Sequence, residues 1–295
     1  MELDFYLLHS EVSEVKDFKA LIQTLPNNMS DICSFIQNNL IHSYWIDCYG
    51  CEIEDAIRFS DMQIRNANDI LKQSELKSGG SLVDKHLSKN KVVSICRDFS
   101  LLLCSILREK GVPARIRCGF CKYLTPGRYE DHWVCEYWNE LQLRWVMVDG
   151  QLDNVHYDRL KFSFDKYDVP ASEFMYAGEA WRMCRDQEAD AESFGIFNLS
   201  GYSFIKGNLV RDLFALSKIE LMAWDTGWGI LTNTGLPNKV ECELLDHLAI
   251  LSSCSDCFGA RNAIESLDEL KFPFGWHVSD APTISELLSK HDLKK

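Results

Sequence analysis

The chain contains 295 residues, of which 46% are hydrophobic and 25% are charged, a composition typical of globular proteins with one large domain or two smaller ones. Its formal net charge is −13 and it has no block of Lys or Arg, which argues against a surface that binds nucleic acid or anionic membranes. These features favour a protein, a peptide or a small molecule as the partner.

The first residues, MELDFYLLHSEVSE, lack the cationic segment and apolar run of a signal peptide, and no apolar stretch is long enough for a membrane span. The 12 cysteines lack the regular spacing of a small disulfide scaffold, which favours a reducing compartment where thiols persist. We therefore expect a cytoplasmic protein, or one delivered from one cytosol into another.

The N-terminal part of the chain has a helical pattern. Apolar residues at helical spacing predict helices over residues 13–24, 29–42 and 53–75. The polar, glycine-containing stretch KSGGSLVDKHLSKNK predicts a loop over residues 77–91.

The segment VVSICRDFSLLL, residues 92–103, joins a short β-branched run to a helical pattern. Apolar residues continue at helical spacing to residue 110, and Gly111 and Pro113 follow where a helix is expected to end. Cys96 therefore lies at the N-terminal edge of a buried helix. Unpaired backbone N–H groups and the helix dipole lower the pKa of a thiol at such a position.

Three strands are predicted after this helix, at residues 114–120, 132–138 and 143–149. Only the residues NELQ separate the last two strands, so we expect an antiparallel hairpin. If the hairpin pairs symmetrically about this loop, Trp138 faces Leu143 and His132 lies directly opposite Asp149. Opposed side chains have Cβ atoms about 4.5–5.5 Å apart, which lets a carboxylate accept a hydrogen bond from an imidazole. A slip of one residue would separate the two.

Cys96, His132 and Asp149 are the residue types of a cysteine-dependent catalytic triad. In such a triad the thiolate attacks a carbonyl carbon, the imidazole takes the thiol proton and later protonates the leaving group, and the carboxylate orients the imidazole. The backbone N–H of Cys96 is also available to an oxyanion. The structural alternatives are a packed thiol, a sheet histidine and a turn residue that ends a strand.

The stretches CRDFSLLLCSILREKGVPARIRCGF and DHWVCEYWNELQLRWVMVD resemble the core of the transglutaminase-like superfamily, over residues 90–152. The shared features are a cysteine that opens a helix, a Gly-x-Pro-Ala-Arg turn into a strand, a His-Trp strand and a Trp-x-x-x-Asp strand. The sequence departs from the family at Ile95, where Gly is common before the cysteine, and at Gly150, where Pro is common after the aspartate.

The resemblance implies an α+β, papain-like core that needs no cofactor and acts on amides by acyl transfer. The implied reactions are peptide hydrolysis, glutamine deamidation, transamidation and cleavage of glycan amides. By position, Cys96 matches the nucleophile, His132 the base and Asp149 the orienting group.

The family's second oxyanion donor is an upstream side chain, and several residues could supply it here. The candidates are Gln37, Asn38, Asn39, Tyr44, Trp45 and Tyr49. Trp133 and Arg97 are candidates for substrate binding, with a structural role in the sheet or at the helix start as the alternative.

Three cysteine pairs have the spacing C-x-x-C, which is one half of a typical zinc site. They are Cys48 with Cys51, Cys118 with Cys121, and Cys254 with Cys257. The pairs lie far apart in the sequence, and residues i and i+3 of a strand point to opposite faces, so we expect ordinary thiols and no metal. A zinc-stabilised structural protein is the alternative. Relatives that cut glycans from asparagine carry zinc-binding cysteine pairs ahead of the nucleophile, where this chain has one pair.

Residues 171–295 are predicted to form a mainly helical extension without strands, and residues 1–170 to hold the transglutaminase-like core with its N-terminal helices. The predicted helices of the extension lie in NLVRDLFALSKIELMAW, VECELLDHLAILSS and TISELLSKHDLKK. The leading hypothesis is an enzyme that acts on a protein, a peptide or a small amide through a thioester. The alternative is a non-catalytic protein-binding module on the same scaffold.

Overall fold

The computed structural model describes residues 2–232 and 235–273, which fall into two units. Unit 1 comprises residues 2–114 and 134–168, and unit 2 comprises residues 115–133 and the described residues from 169 onward. The sequence predicts one boundary, between residues 170 and 171, whereas the chain also enters unit 2 at residue 115 and leaves it after residue 133. The predicted α+β fold class is confirmed, since both units contain helices and strands.

In chain order the helices are α1 Glu2–Leu7, α2 Lys19–Thr24, α3 Met29–Asn39, α4 Asp55–Met62, α5 Ala67–Ser78, α6 Cys96–Glu109, α7 Asn154–Leu160, α8 Ala177–Arg185, α9 Tyr202–Leu216, α10 Lys239–Ser253 and α11 Cys257–Ser266. The strands are β1 Leu40–His42, β2 Val92–Ser94, β3 Ala114–Cys121, β4 Tyr129–Asn139, β5 Arg144–Val148, β6 Phe174–Tyr176, β7 Phe194–Ile196 and β8 Leu199–Ser200. None of the helices in the described part of the chain has the length and apolar character needed to cross a lipid bilayer.

Helix α6 is the central helix of unit 1, and it begins at Cys96. Its apolar residues Phe99, Leu102, Leu103 and Ile106 are buried, and helices α1, α2, α3 and α5 pack against it. Burial of a side chain of this size contributes about 1.5–3 kcal/mol. The position of the thiol is therefore set by a helix that is held on several sides.

All three predicted N-terminal helices are shorter than the sequence pattern indicates. The one predicted over 13–24 is reduced to α2, Lys19–Thr24, which follows a 3₁₀ turn at Lys16–Phe18. The helix predicted over 53–75 is broken into α4 and α5, because the Asn66 side chain accepts a hydrogen bond from the Asp69 N–H (2.8 Å) and starts a new helix. The helix predicted over 29–42 ends at Asn39, and the next three residues form β1. Strand β1 pairs in parallel with β2, with His42 opposite Ser94. The chain after β1 therefore lies beside the strand that leads into α6.

Strands β4 and β5 form the predicted antiparallel hairpin, but their register differs from the prediction by two residues. Trp138 pairs with Trp145, and the pairing ends at Val148, which lies opposite Cys135. The prediction that Trp138 faces Leu143, with the consequence that His132 lies directly opposite Asp149, is therefore wrong.

The reason for the shifted register lies in the hairpin loop. The Asn139 side chain accepts hydrogen bonds from the N–H groups of Leu141 (3.0 Å) and Gln142 (3.1 Å), and Leu143 adopts a φ of 51°. Asn139 therefore remains in the strand, where it pairs with Arg144, while its side chain closes the turn. As a result, the loop begins one residue later than predicted. Side-chain hydrogen bonding, which the alternation of apolar residues does not report, decides the register.

In unit 2 the strand order is β6-β3-β4-β7-β8. Strand β6 is antiparallel to β3, β7 is parallel to the start of β4, and β8 is antiparallel to β7. The prediction that residues after 171 contain no strand is wrong, because these two- and three-residue strands are too short to show a period. Helices α8, α9 and α10 pack together, and α9 and α10 fall on two of the predicted helices. The third, over residues 283–295, lies outside the described residues.

A close helix contact in unit 2 gives a prediction about stability. At Gly178, in the first turn of α8, an added Cβ atom would lie 2.4 Å from the Ala249 carbonyl oxygen and 2.7 Å from Ser252. We expect Gly178→Ala to lower the free energy of unfolding by about 1–3 kcal/mol, since the helices must move apart. Gly150→Ala is the control, because its Cβ would meet Leu103 at an ordinary 3.5 Å. Equal losses in urea denaturation would contradict the prediction.

Candidate active site

Cys96 is the first residue of α6 and is partly exposed, whereas seven of the 12 cysteines are buried. The Asp98 side chain caps the start of the helix, because its carboxylate accepts a hydrogen bond from the Ile95 N–H at 3.0 Å. This hydrogen bond engages the N–H of the residue before Cys96 and fixes the backbone at the point where the helix begins. A nucleophile at this position would be both reachable and fixed.

Arg97 and Trp133, the two substrate-binding candidates, are 0% and 1% exposed, which fits the structural alternative for each. The Arg97 guanidinium donates hydrogen bonds to the Arg65 carbonyl oxygen (2.6 Å) and to Asp98 (3.3 Å). Burial raises the pKa of Asp98, while Arg97 and the Ile95 N–H act in the opposite direction. The pair therefore supports the start of α6 from the protein interior.

Asp149 follows β5 directly and is 1% exposed. Its N–H donates to the Lys166 carbonyl oxygen at 3.0 Å, and its Oδ1 accepts a hydrogen bond from the Gln151 N–H at 3.0 Å. The next residue, Gly150, lies against the first two turns of α6, since a Cβ there would be 3.8 Å from the Phe99 carbonyl oxygen. The turn that carries Asp149 is therefore packed on the helix that Cys96 begins.

His132 lies in the first half of β4, in unit 2, whereas Cys96 and Asp149 belong to unit 1. The imidazole is 1% exposed, and the Tyr123 ring meets it edge-on at a centroid distance of 5.8 Å. Its neighbour Asp131 accepts a hydrogen bond from Asn208 at 2.7 Å. Burial raises the pKa of Asp131, and the Asn208 hydrogen bond opposes that rise.

A partly buried polar cluster near Asp149 was not predicted from the sequence. His156 Nδ1 lies 2.8 Å from Asp153 Oδ1, its Nε2 lies 3.2 Å from the Gln151 side chain, and Trp45 packs on its ring with centroids 4.1 Å apart. The Tyr49 hydroxyl donates to Asp153 Oδ2 at 2.6 Å. Because a carboxylate only accepts, the hydrogen of neutral His156 is on Nδ1, and Nε2 accepts from Gln151. The sequence contained one local signal for this contact, because Asp153 lies three residues before His156, which is the spacing of a helix-capping pair.

The ionisation of Asp153 gives a prediction about acid stability. Burial raises the pKa of Asp153, but the hydrogen bonds from His156 and Tyr49 outweigh it and lower the pKa from 3.8 to about 2. A lowered folded-state pKa stabilises the fold above about pH 4, and that contribution, about 2 kcal/mol, is lost as the pH falls toward 2. The stability difference between the natural chain and Asp153→Asn should therefore narrow by about 1 kcal/mol from pH 5 to pH 3.

Urea denaturation at the two pH values measures this change. Asp158→Asn serves as the control, because Asp158 is an exposed carboxylate on the same helix, α7. A difference that stays constant for Asp153→Asn, or narrows equally for Asp158→Asn, would contradict the assignment.

Most of the candidates for the second oxyanion donor have structural partners. The amide nitrogens donate to backbone carbonyls, from Gln37 to Gly150 and Leu152, from Asn38 to Asp84, and from Asn39 to Phe35 and Leu82. The Tyr49 hydroxyl is used by Asp153. The Trp45 ring packs on His156, and the Tyr44 side chain is exposed. The three amides and the Tyr49 hydroxyl are therefore engaged in structural hydrogen bonds.

All 12 cysteines lie in the described residues and are free thiols. Of the C-x-x-C pairs, Cys118 and Cys121 are both buried in β3, and Cys254 is exposed while Cys257 is buried. Within residues 2–232 and 235–273, no three His, Cys, Asp or Glu side chains are grouped as ligands of a metal ion.

Comparisons with known proteins bear on the core segment. Residues 52–150 match the family model of the transglutaminase-like superfamily, and no curated protein matches the chain. Among solved structures, the chain is similar to that of a proposed cysteine protease from Cytophaga hutchinsonii, with 18% identity and a TM-score of 0.33. This match covers 58% of this chain and 44% of the other, so the chain spans less than half of that protein's length. Residues 52–150 are therefore similar to the transglutaminase-like superfamily, the family that the sequence motifs resemble.

Proposed function

We propose that the chain is a cysteine-dependent acyl-transfer enzyme that acts on amide bonds, with Cys96 as nucleophile, His132 as general base and Asp149 as the carboxylate that orients His132. One observation carries the proposal. A partly exposed thiol is the first residue of a buried helix, inside a segment that matches the transglutaminase-like superfamily.

The proposed reaction has two halves. His132 takes the proton of the Cys96 thiol, and the thiolate attacks the amide carbonyl carbon to give a tetrahedral oxyanion, which the Cys96 N–H stabilises. The C–N bond breaks as the His132 imidazolium protonates the leaving amine, and a thioester remains on Cys96. Water or a second amine then attacks the thioester carbonyl, His132 takes its proton, and the thiol is released.

The position of Asp149 supports its proposed role. A carboxylate that orients an imidazole must itself be held, and Asp149 has both its N–H and its Oδ1 hydrogen-bonded to backbone groups. The two-residue difference in hairpin register is an even number, so it does not invert the faces of the strands. The proposal therefore does not depend on the predicted register.

Substrate class and location are part of the proposal. We expect a protein, a peptide or a small amide as substrate, because the net charge of −13 opposes anionic partners. We place the reaction in the cytoplasm, since 12 free thiols are best preserved in a reducing compartment.

A small activated acyl donor tests the proposal without knowledge of the natural substrate. The chain is mixed with N-acetylglycine p-nitrophenyl ester, quenched in acid and digested, and the mass of each cysteine-containing peptide is measured. We expect an acyl adduct on Cys96 that hydroxylamine removes, and a much slower adduct in His132→Ala. An acylation rate at Cys96 no greater than at the exposed Cys254 would contradict the proposal and favour a binding module on this scaffold.

A further inference from the structure

The turn after Asp149 is held by one side chain from helix α3. Gln37 Nε2 lies 3.0 Å from the Gly150 carbonyl oxygen and 3.1 Å from the Leu152 carbonyl oxygen. An amide nitrogen carries two hydrogens, so both donors of Gln37 are used by the turn. Gln37 is thereby removed from the list of oxyanion donors and acquires a different contact, with the backbone beside Asp149.

The geometry of that backbone connects Gln37 to the carboxylate. The Gly150 carbonyl and the Gln151 N–H belong to one planar peptide unit, and in a trans peptide they point in opposite directions. Gln37 binds the carbonyl on one side of this unit, and on the other side the N–H donates to Asp149 Oδ1 at 3.0 Å. The orientation of this peptide plane therefore affects how the carboxylate is held, and Gln37 binds the carbonyl of the same plane.

The turn also has supports on its other side. The Gln151 side chain contacts His156, which is bonded to Asp153. The backbone of Gln37 is also held in place, because the Lys91 ammonium donates a hydrogen bond to its carbonyl oxygen at 2.6 Å. Loss of the Gln37 amide should therefore misorient the peptide plane without unfolding the turn.

We propose that Gln37 is a positioning residue, which orients the Asp149 carboxylate through the peptide unit between Gly150 and Gln151. This inference rests on the proposed function, because it gives Gln37 its effect through Asp149, His132 and the Cys96 thiolate. It predicts that a side chain far from the thiol in sequence changes the pH at which Cys96 becomes reactive.

The test compares Gln37→Met with Asn38→Leu, since Asn38 is the neighbouring amide on α3 but holds the backbone of Asp84 and His86 instead. The measured quantity is the rate of Cys96 alkylation by iodoacetamide between pH 5 and pH 9, resolved by peptide mass. We expect Gln37→Met to slow alkylation at pH 6 by about 10-fold or more, as misplacement of catalytic groups does, and to leave the rate at pH 9 unchanged. Asn38→Leu should keep the profile of the natural chain.

Together with one further variant, the outcomes distinguish failure of the proposed function from failure of the role of Gln37 alone. Asp149→Asn is measured in parallel, and if it leaves alkylation at pH 6 unchanged, both the proposed function and the role of Gln37 fail. If Asp149→Asn slows alkylation but Gln37→Met does not, or if Asn38→Leu slows it equally, only the role of Gln37 fails. Should Gln37→Met not fold, Gln37→Asn takes its place, because it withdraws the same amide by one methylene group and is expected to act in the same direction.

Discussion

Replacing Cys96 by alanine should lower the rate of acyl transfer at least about 10⁴-fold, since removal of the nucleophile of a catalytic triad has effects of this size or larger. The reason is that no other group of the proposed site can form the thioester. The rate is measured as release of p-nitrophenol from N-acetylglycine p-nitrophenyl ester at substrate excess. Far-ultraviolet circular dichroism and the urea midpoint check that the fold is kept.

Cys254→Ala is the matched control, because Cys254 is the exposed thiol among the 12 and lies in unit 2. It should leave turnover within about twofold of the natural chain. Turnover that survives in Cys96→Ala, or that disappears in Cys254→Ala, would show that the chemistry does not pass through Cys96.

The second large effect concerns stability, at a buried ion pair in unit 2. Arg117 donates to both carboxylate oxygens of Asp212 (2.9 and 2.8 Å), and both side chains are fully buried. Asp212 also accepts hydrogen bonds from the Ser252 hydroxyl (2.6 Å) and the Cys118 N–H (3.0 Å), and the Tyr176 ring covers the guanidinium at 3.6 Å. Asp212→Ala would remove the carboxylate that binds the buried guanidinium, leaving hydrogen bonds to neutral groups such as the Ser252 carbonyl and the Ser255 hydroxyl, so we expect a loss of about 3–5 kcal/mol.

An exposed pair provides the comparison. Arg144 and Asp168 also form a two-pronged ion pair, but both side chains are at least 40% exposed. Asp168→Ala should therefore cost less than about 1 kcal/mol in urea denaturation. Similar losses for Asp212→Ala and Asp168→Ala would contradict the account of the buried pair.

Local patterns in the sequence were sufficient to predict helix α6 and the position of the Cys96 thiol at its start. The spacing of Phe99, Leu102, Leu103 and Ile106 is a property of one short segment, so the helix that begins at Cys96 could be predicted. Strands β6, β7 and β8 could not be predicted, because a strand of two or three residues is too short to show an alternating pattern. Its formation depends on the strand with which it pairs.

Long-range side-chain contacts account for most of what the sequence did not predict around the site. Gln37 binds backbone 113 and 115 residues away, and Tyr49 binds Asp153 at a separation of 104 residues. No local pattern records such partners. The hairpin register depended on a single side chain, Asn139, whose hydrogen bonds within the loop compete with symmetric pairing.

The central claim, that Cys96 is an activated nucleophile, is tested most directly by its alkylation rate with iodoacetamide as a function of pH. An ordinary thiol has a pKa of about 8.5, whereas thiols at helix starts beside an imidazole titrate well below that value. We expect Cys96 to react at pH 6 at least about 10-fold faster than Cys254, and to lose this advantage in His132→Ala. A Cys96 rate that rises only above pH 8, in parallel with Cys254, would contradict the account.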